Sequence, residues 1–559
     1  MAPAWRGDFE GLDAGGAVPL GRGLMGRTAC ATRVKERLMR HNRITAIHGL
    51  LLAALAVSCA SLADLQEVQV GGSIELYAAW YSEFFEPTWE AVRIPAEHLP
   101  GRAIGPNGTL TALRTDGTGN SYAFAEQRTR LHVDAAFSDA VRAFIEFDSI
   151  EVWGEDFASN YLTGIDARTP TDDDVEVYQA YIEASDLGGL PLRVRVGRQE
   201  LVFGSGWLVG TNPDADPFSG LSFDAIRLTH EGEDYAVDLW ASKLIDRSPL
   251  EEDGDTDFCG LYGTYAGIEG IELDLYYLFL RDAQEFHDTQ SSWLTEWVED
   301  ILDLDDYSPT ELHTLGARCA GERGAFDWDI EAAYQWGEAD AVGAQFLLEE
   351  LAYADDGASW DNWAGHGEVG YTFRGAYAPR VYIGAQYYGG EDRRDVSFGA
   401  WLNLFHRPKA SVSFNRLFSD YEVDSFLDWS NLTNFWTALS GFSASPTDAI
   451  ELGLDVAYLE VVEPFDWPAY IPLGKVRFPI APDFSFWTAE GAKDLGWQTT
   501  LWGGYAYSEH LGFEVGWTHF FVGDAIEDGA FVAENGLGFV CGAGDHDADY
   551  VYVMTTVEF

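Results

Sequence analysis

The sequence predicts an all-β chain closed into a transmembrane antiparallel β-barrel with long acidic loops. Three observations carry that reading. Apolar and polar residues alternate with a period of two over segments of about ten residues, which suits a tilted strand with one oily face. Short turns containing Gly, Asp or Asn join many of these segments in pairs, and much longer polar stretches separate the pairs. Beyond the leader, no apolar run reaches the roughly 18 residues that a membrane helix needs.

The first 38 residues are rich in Gly and Arg without an apolar period and read as an untranslated or disordered extension. From Met39 the layout is that of a signal peptide: Arg40 and Arg43, an apolar stretch from Gly49 to Val57, then Ser61 and Ala63 two apart. Cleavage is expected after Ala63, which leaves residues 64–559 as a single outer-membrane barrel domain. The alternative of lipid attachment at Cys59 lacks the usual Leu three residues earlier.

Segment 125–137 places Ala125, Gln127, Thr129, Leu131, Val133, Ala135 and Phe137 on one face and Glu126, Arg128, Arg130, His132 and Asp134 on the other. At 271–279, Ile271, Leu273, Leu275, Tyr277 and Phe279 oppose Glu272, Asp274 and Tyr276. At 326–336, Phe326, Trp328, Ile330, Ala332, Tyr334 and Trp336 oppose Asp327, Asp329, Glu331 and Gln335. Further strands are expected near 73–81, 141–149, 176–184, 192–198, 223–229, 235–243, 380–388, 396–406, 410–418, 450–459, 495–507 and 511–521. Alternation alone also fits a secreted β-sandwich or propeller. Two features favour the barrel. Segment 550–559 keeps Val551, Val553 and Val557 on the parity of Phe559 and resembles the terminal strand signal read by the barrel assembly machinery. Aromatics gather at strand ends, with Trp80 and Tyr81, Phe144 to Trp153, Tyr387 and Tyr388, and Phe520 and Phe521 placed as membrane-surface girdles require.

With 92 Asp and Glu against 34 Lys and Arg, the formal net charge is −58. Such a surface repels polyanions, which excludes a nucleic-acid partner. The 14% aromatic content supplies apolar surface for folding despite the charge. Cys259, Cys319 and Cys541 show neither CxxC nor Cys/His zinc spacing. No nucleophile elbow, P-loop, dinucleotide fingerprint or His-Glu-x-x-His occurs, so neither catalysis nor a cofactor is expected. Acidic pairs are numerous, but nothing singles one out as a hydrolytic dyad.

Segments 177–182, 194–201 and 222–228 are similar to the alginate-export family of outer-membrane porins. Later pieces agree in order, at 313–318, 328–337, 370–373, 414–418, 431–432 and 513–521, so the resemblance covers most of residues 120–559. It implies a single-chain barrel of about 18 strands, with about 16 as the alternative, and long loops around it. It also implies passage of an anionic polysaccharide or other acidic solute through an Arg-rich lumen. The chain departs from the family pattern at two expected positive charges. Gly204-Ser205-Gly206-Trp207 replaces a Gly-Asp-Gly-Arg-like turn, and Leu221 replaces an Arg. Residues 495–498 lack the acidic residues of the family, and the stretch from Phe346 to Ser359 is longer than expected between neighbouring strands.

Arg128, Arg130, Arg142, Arg193, Arg195, Arg198, Arg227, Arg318 and Arg416 fall within these segments, whereas Lys in the exported part is limited to Lys243, Lys409, Lys475 and Lys493. An Arg facing lipid at mid-depth costs about 2–4 kcal/mol, so those on the polar parity are expected to line the lumen. There the planar guanidinium suits carboxylates, and a line of moderate sites lets a polyanion slide. The competing expectation pairs each Arg with a lumen carboxylate such as Glu126, Asp134, Glu146, Glu176 or Glu183 as a structural network. A general porin preferring cations or neutral solutes, or a mainly structural protein, would then follow.

Asp253, Asp255 and Asp257 alternate as Ca²⁺ ligands do, but Phe258 stands where an EF-hand needs Gly and Thr264 where it needs Glu. Loose divalent binding is the most that this loop, 172–174, or Asp303, Asp305 and Asp306 suggest. Trp293, Leu294, Trp297, Val298, Ile301 and Leu302 have the spacing of a loop helix over the mouth. The partners expected are outer-membrane lipid, the barrel assembly machinery and a hydrophilic solute, with the chain a monomer.

Overall fold

Period-two segments with one oily face satisfy their backbone groups in lipid only by pairing into a ring. The computed structural model shows that ring. It describes residues 65–82, 87–88, 112–113, 121–153, 157–160, 165–168, 175–211, 218, 220–245, 255–283, 309–338, 358–390, 410–421, 425–426, 433–463, 470–473, 476–479, 493–527 and 547–559. The expected extension and signal peptide, residues 1–63, lie outside them.

The wall is a closed barrel of 18 antiparallel strands. In chain order they are β1 (Glu67–Ser82), β2 (Tyr122–Ser138), β3 (Val141–Val152), β4 (Glu176–Ala184), β5 (Leu192–Gln199) and β6 (Phe223–Glu231). Next come β7 (Tyr235–Ile245), β8 (Thr256–Ile268), β9 (Ile271–Asp282), β10 (Thr310–Arg323), β11 (Phe326–Glu338) and β12 (Ala358–Thr372). The ring is completed by β13 (Arg380–Tyr388), β14 (Phe435–Thr447), β15 (Ile450–Val461), β16 (Asp494–Ala506), β17 (Leu511–Val522) and β18 (Ala548–Glu558). Closure comes from β1, which pairs with β18 from Ser73↔Glu558 to Ser82↔Asp549 and with β2 from Glu67↔Ala136 to Tyr81↔Tyr122.

Every second connection is short and lies at the end where Leu65 and Phe559 sit. The turns between β8 and β9 and between β10 and β11 are two residues each, with Gly270 and Gly324 at φ 73°. That positive φ is what tight hairpin turns demand. All long connections leave the opposite end.

Parity then decides environment. Along β9, Leu273, Leu275 and Tyr277 are exposed on the outer face while Asp274, Tyr276 and Leu278 are buried inside. Outer aromatics form two girdles. At the long-loop end Trp363 stacks on Tyr387 at 4.3 Å, and Tyr458 meets Trp497 at 4.8 Å. At the short-turn end Tyr371 contacts Phe326 and Phe373, each at 4.8 Å. Each expected aromatic pair at a strand end is divided by parity: Trp80 and Phe521 face outward, while Tyr81, Tyr388 and Phe520 are buried inside.

Inside, large rings lie flat across glycines of the next strand. Trp240 faces Gly260, Tyr276 faces Gly316, Tyr382 faces Gly441, Trp502 faces Gly453 and Tyr552 faces Gly516. A Cβ on any of these glycines would lie only 2.1–2.2 Å from the ring. The rings therefore hug the wall instead of filling the lumen.

One expected strand is corrected. Within 410–418 only Ala410–Val412 is a strand, and it runs parallel to the start of β12; from Ser413 the chain leaves the wall for the interior. Segment 396–406 lies outside the described residues. Strands β8, β10, β12 and β14 complete the wall beyond the expected set.

Gly72 exchanges two backbone hydrogen bonds with Phe559, both 3.0 Å, and a Cβ there would stand 2.3 Å from the Arg130 carbonyl oxygen. Gly72→Val is expected to weaken closure by about 1–3 kcal/mol. Urea titration of the refolded barrel would show a lower midpoint; an unchanged midpoint would mean that the seam tolerates the side chain.

Candidate functional site

After β5 the chain turns into the lumen. Leu201, Trp207, Leu208 and Val209 are buried there, and Phe203 stacks on the wall rings Trp240 at 4.4 Å and Tyr262 at 5.0 Å. The turn needs Gly204 at φ 57°, where a Cβ would lie 2.5 Å from the Tyr262 hydroxyl. A second segment enters from the connection after β13. It joins the first by backbone hydrogen bonds: Gly210 N–H to Phe418 O at 2.7 Å, Phe418 N–H to Leu208 O at 3.0 Å and Asp420 N–H to Gly206 O at 2.9 Å.

Wall residues pin this second segment on both sides. Gln335 donates to Asn415 O at 2.7 Å and accepts from Asn415 N–H at 2.8 Å. Beyond it, Phe426 packs against Phe520 at 5.5 Å and Tyr81 at 6.2 Å. Main chain thus crosses the lumen from β11 towards β17 and β1. At the junction, Trp207 Nε1–H donates to Tyr388 OH at 2.9 Å, and His366 sits 5.1 Å from Trp207 and 4.5 Å from Tyr421.

The strand arginines are held by carboxylates. Arg128 and Arg130 share Asp148, at 2.6 and 3.2 Å. Arg142 reaches Asp134 and Glu183, Arg195 also holds Glu183 at 2.7 Å, and Arg193 pairs with Glu231 at 2.7 Å. Arg227 meets Asp238 at 2.7 Å, while Arg318 gathers Glu272, Asp274 and Asp329 at 2.8, 3.0 and 2.7 Å. Arg416 belongs to the inward segment, where it donates to the Tyr421 carbonyl and lies over the Tyr388 ring. Arg198 is set apart. Its partner Asp224 alternates with buried Phe223 and Ala225, so this pair faces outward near the long-loop end. Arg380, absent from the expected set, grips Asp327 and Glu368 at 2.5 and 2.6 Å. Its signal was the inward parity it shares with Tyr382 and Gln386.

Of the Ca²⁺ candidates, Asp255 and Asp257 both bind the Lys243 ammonium, at 2.7 and 2.6 Å. Among the described residues no group of carboxylates, His or Cys is arranged to hold a metal ion. Asp253, the acidic stretches at 172–174 and 303–306, and the expected loop helix lie outside the described residues.

The sequence model of a family described as Alginate export matches residues 111–539. The chain belongs to the alginate export family. No curated protein matches it in sequence. Among solved structures it is similar to Pseudomonas aeruginosa OccK8 (OprE), at 10% identity and a TM-score of 0.46, over 89% of this chain and 98% of that one. It is also similar to Pseudomonas aeruginosa OccD3 (OpdP), at 10% identity and 0.45, over 89% and 93%. Acinetobacter baumannii OccAB4 gives 10% identity and 0.41, over 89% and 100%.

This alginate export family member is therefore an outer-membrane channel protein. Two of its family-like pieces build the constriction: segment 194–201 ends where the chain turns inward, and 414–418 lies within the crossing segment.

Arg128 and Asp148 side chains are 6% and 3% exposed. Arg128→Ala is expected to cost up to about 3–5 kcal/mol by leaving the buried carboxylate of Asp148 to Arg130 alone, and Arg128→Ala with Asp148→Ala to cost less than the two single changes together. Denaturant titrations of the four proteins measure this, and strict additivity would deny the coupling.

Glu200 begins the inward turn, accepting from Tyr178 OH at 2.8 Å. Burial pushes its carboxyl above the ordinary carboxylate range, outweighing the Tyr178 hydrogen bond and the Arg130 charge. The folded state thus binds this proton more tightly than the unfolded chain. Its stabilising effect is full below the ordinary carboxylate pKa and is lost as pH rises through the raised one. Glu200→Gln should flatten the fall in thermal stability across that window; the same slope in both proteins would remove Glu200 as its cause.

Proposed function

We propose that the chain is a passive channel for hydrophilic solutes whose lumen favours cations and neutral sugars over free anions. One observation carries this reading. Strands β14 to β18 and β1 contain no Lys or Arg, while their inward parity carries Glu75, Glu451, Asp455, Glu514 and Glu558. On the remaining wall, the inward-facing arginines Arg128, Arg130, Arg142, Arg193, Arg195, Arg227, Arg318 and Arg380 are already held by carboxylates. The field of such a wall draws cations. The general design of outer-membrane barrels sets the short turns on the periplasmic side and the long connections outside.

The family match supports a second reading, in which an anionic polysaccharide passes by exchanging its carboxylates for those now bound to Arg128, Arg130, Arg142, Arg193, Arg195, Arg227 and Arg318. Exchange among bidentate sites would let a polymer advance without being trapped.

Reversal potentials of residues 64–559 in a planar bilayer under a salt gradient separate the two. Cation selectivity, kept or increased by Arg130→Ala with Arg195→Ala, is expected. Anion selectivity that declines in that variant would establish the second reading instead.

A further inference from the structure

Across six neighbouring strands, six charged residues stand directly opposite one another in one row. They are Arg198 on β5, Asp224 on β6, Lys243 on β7, Asp257 on β8, Arg281 on β9 and Glu311 on β10. Their chain neighbours Phe223, Ser242, Phe258 and Leu312 are buried inside, so the row lies on the outer face, at the long-loop end. The signs alternate across these six strands, and on β11 a second carboxylate, Glu338, stands opposite Glu311 and ends the alternation. Within the chain, Arg198 holds Asp224 at 3.0 Å and Lys243 holds Asp257 at 2.6 Å.

An alternating row of six is antisymmetric about its midpoint, here between Lys243 and Asp257. A two-fold axis along the membrane normal through that point sets Lys243 against Asp257 of a second copy, Asp224 against Arg281, and Arg198 against Glu311. Every facing pair is opposite in charge, which is the self-complementarity an isologous contact needs. The curvature of the wall draws the outermost pair apart, so the inner two pairs carry the contact. Lipid headgroups are the other occupant of this face. A row with as many carboxylates as cations offers an anionic headgroup no net attraction.

The outer girdle supplies an independent observation. One step deeper in the membrane, the residues in register are Ile226, Ala241, Cys259, Phe279, His313 and Trp336. The aromatic belt is thus interrupted by the small side chains Ala241 and Cys259, on the two strands that flank the midpoint. There two walls can approach most closely.

We propose that two copies of this barrel associate side by side through β7 and β8, about a two-fold axis along the membrane normal, with the charge row as the matching surface. The proposal goes beyond the transport reading and does not depend on which solute passes. It places Cys259 of one copy beside Cys259 of the other.

The test is to treat the full chain, recovered in outer-membrane vesicles, with a short bis-maleimide that adds one thiol to each end. A covalent dimer is expected, lost in Cys259→Ser and retained in Cys319→Ser and Cys541→Ser. Lys243→Glu and Asp257→Lys should each lower the dimer yield several-fold. The double variant Lys243→Glu with Asp257→Lys should restore it, which guards against loss through misfolding. Absence of a Cys259-dependent dimer overturns the proposal, as does a yield indifferent to both single charge reversals. A yield that follows added anionic lipid instead of the charge swap assigns the row to headgroups.

Discussion

At lipid depth a strand finds no water for its N–H and C=O groups, so each of the 18 wall strands is stable only with both neighbours in place. That need for a closed ring governs the rest of the molecule. It makes the seam between β1 and β18 as important as any interior pairing, and it explains why Gly71 and Gly72 stand beside Phe559, where a side chain would press on His132 or the backbone of β2. It also forces the period of two on every strand, because a residue that faces lipid must be followed by one that does not. Register, once set by closure, then decides which charges meet.

Charge in the lumen obeys the same constraint. Arginine inside a narrow wall has less water than arginine at a surface, and leaving it unmatched is expensive. Carboxylates placed one strand away remove that cost, as Asp148 does for Arg128 and Asp238 does for Arg227. The matching fixes the arginines as struts and leaves the surplus acids to set the potential. The inward segments use the same wall differently. Phe203, Trp207, Phe414 and Phe426 insert among wall rings, and backbone hydrogen bonds between the two segments replace those that water would have made. The constriction is therefore an extension of the wall packing, built from apolar anchors with polar groups at their tips.

Legibility in the sequence followed side-chain contrast. Strands such as β9 and β11 alternate Leu, Tyr or Trp with Asp or Glu and could be placed closely. Strands β8, β10, β12 and β14 could not, because their inward positions mix glycines and other small residues with large apolar ones, as Gly260 lies between Phe258 and Tyr262, so no polar face alternates with an oily one. The second inward segment was misread for a related reason. In 410–418 the apolar residues pack on the interior instead of facing lipid, so the pattern resembles a strand without belonging to the wall. Arginine positions could be assigned by parity, but their partners lie on neighbouring strands, and pairing of Arg318 with three acids from two other strands depends on register. Arg198 departs from the expected lumen set because it lies on the opposite parity to Arg193 and Arg195, and the unbroken register of β5 keeps it on the outer face.

Because one strand serves both faces, composition on a single stretch of chain has consequences inside and out. The absence of Lys and Arg from β14 to β18 and β1 leaves the inner wall on that side acidic and leaves the outward face of those strands without cations, where Tyr458 and Trp517 hydrogen-bond Glu460 and Asp549 instead. The opposite arc, β5 to β10, carries basic residues on both parities: Arg195, Arg227 and Arg318 inward, and Arg198, Lys243 and Arg281 outward. A barrel built this way has a distinct side. Its lumen field is lopsided across the pore, and its rim offers alternating charge along one arc only. In a membrane, where a barrel is free to rotate about its normal, only such an asymmetric rim can give a lateral neighbour a preferred orientation.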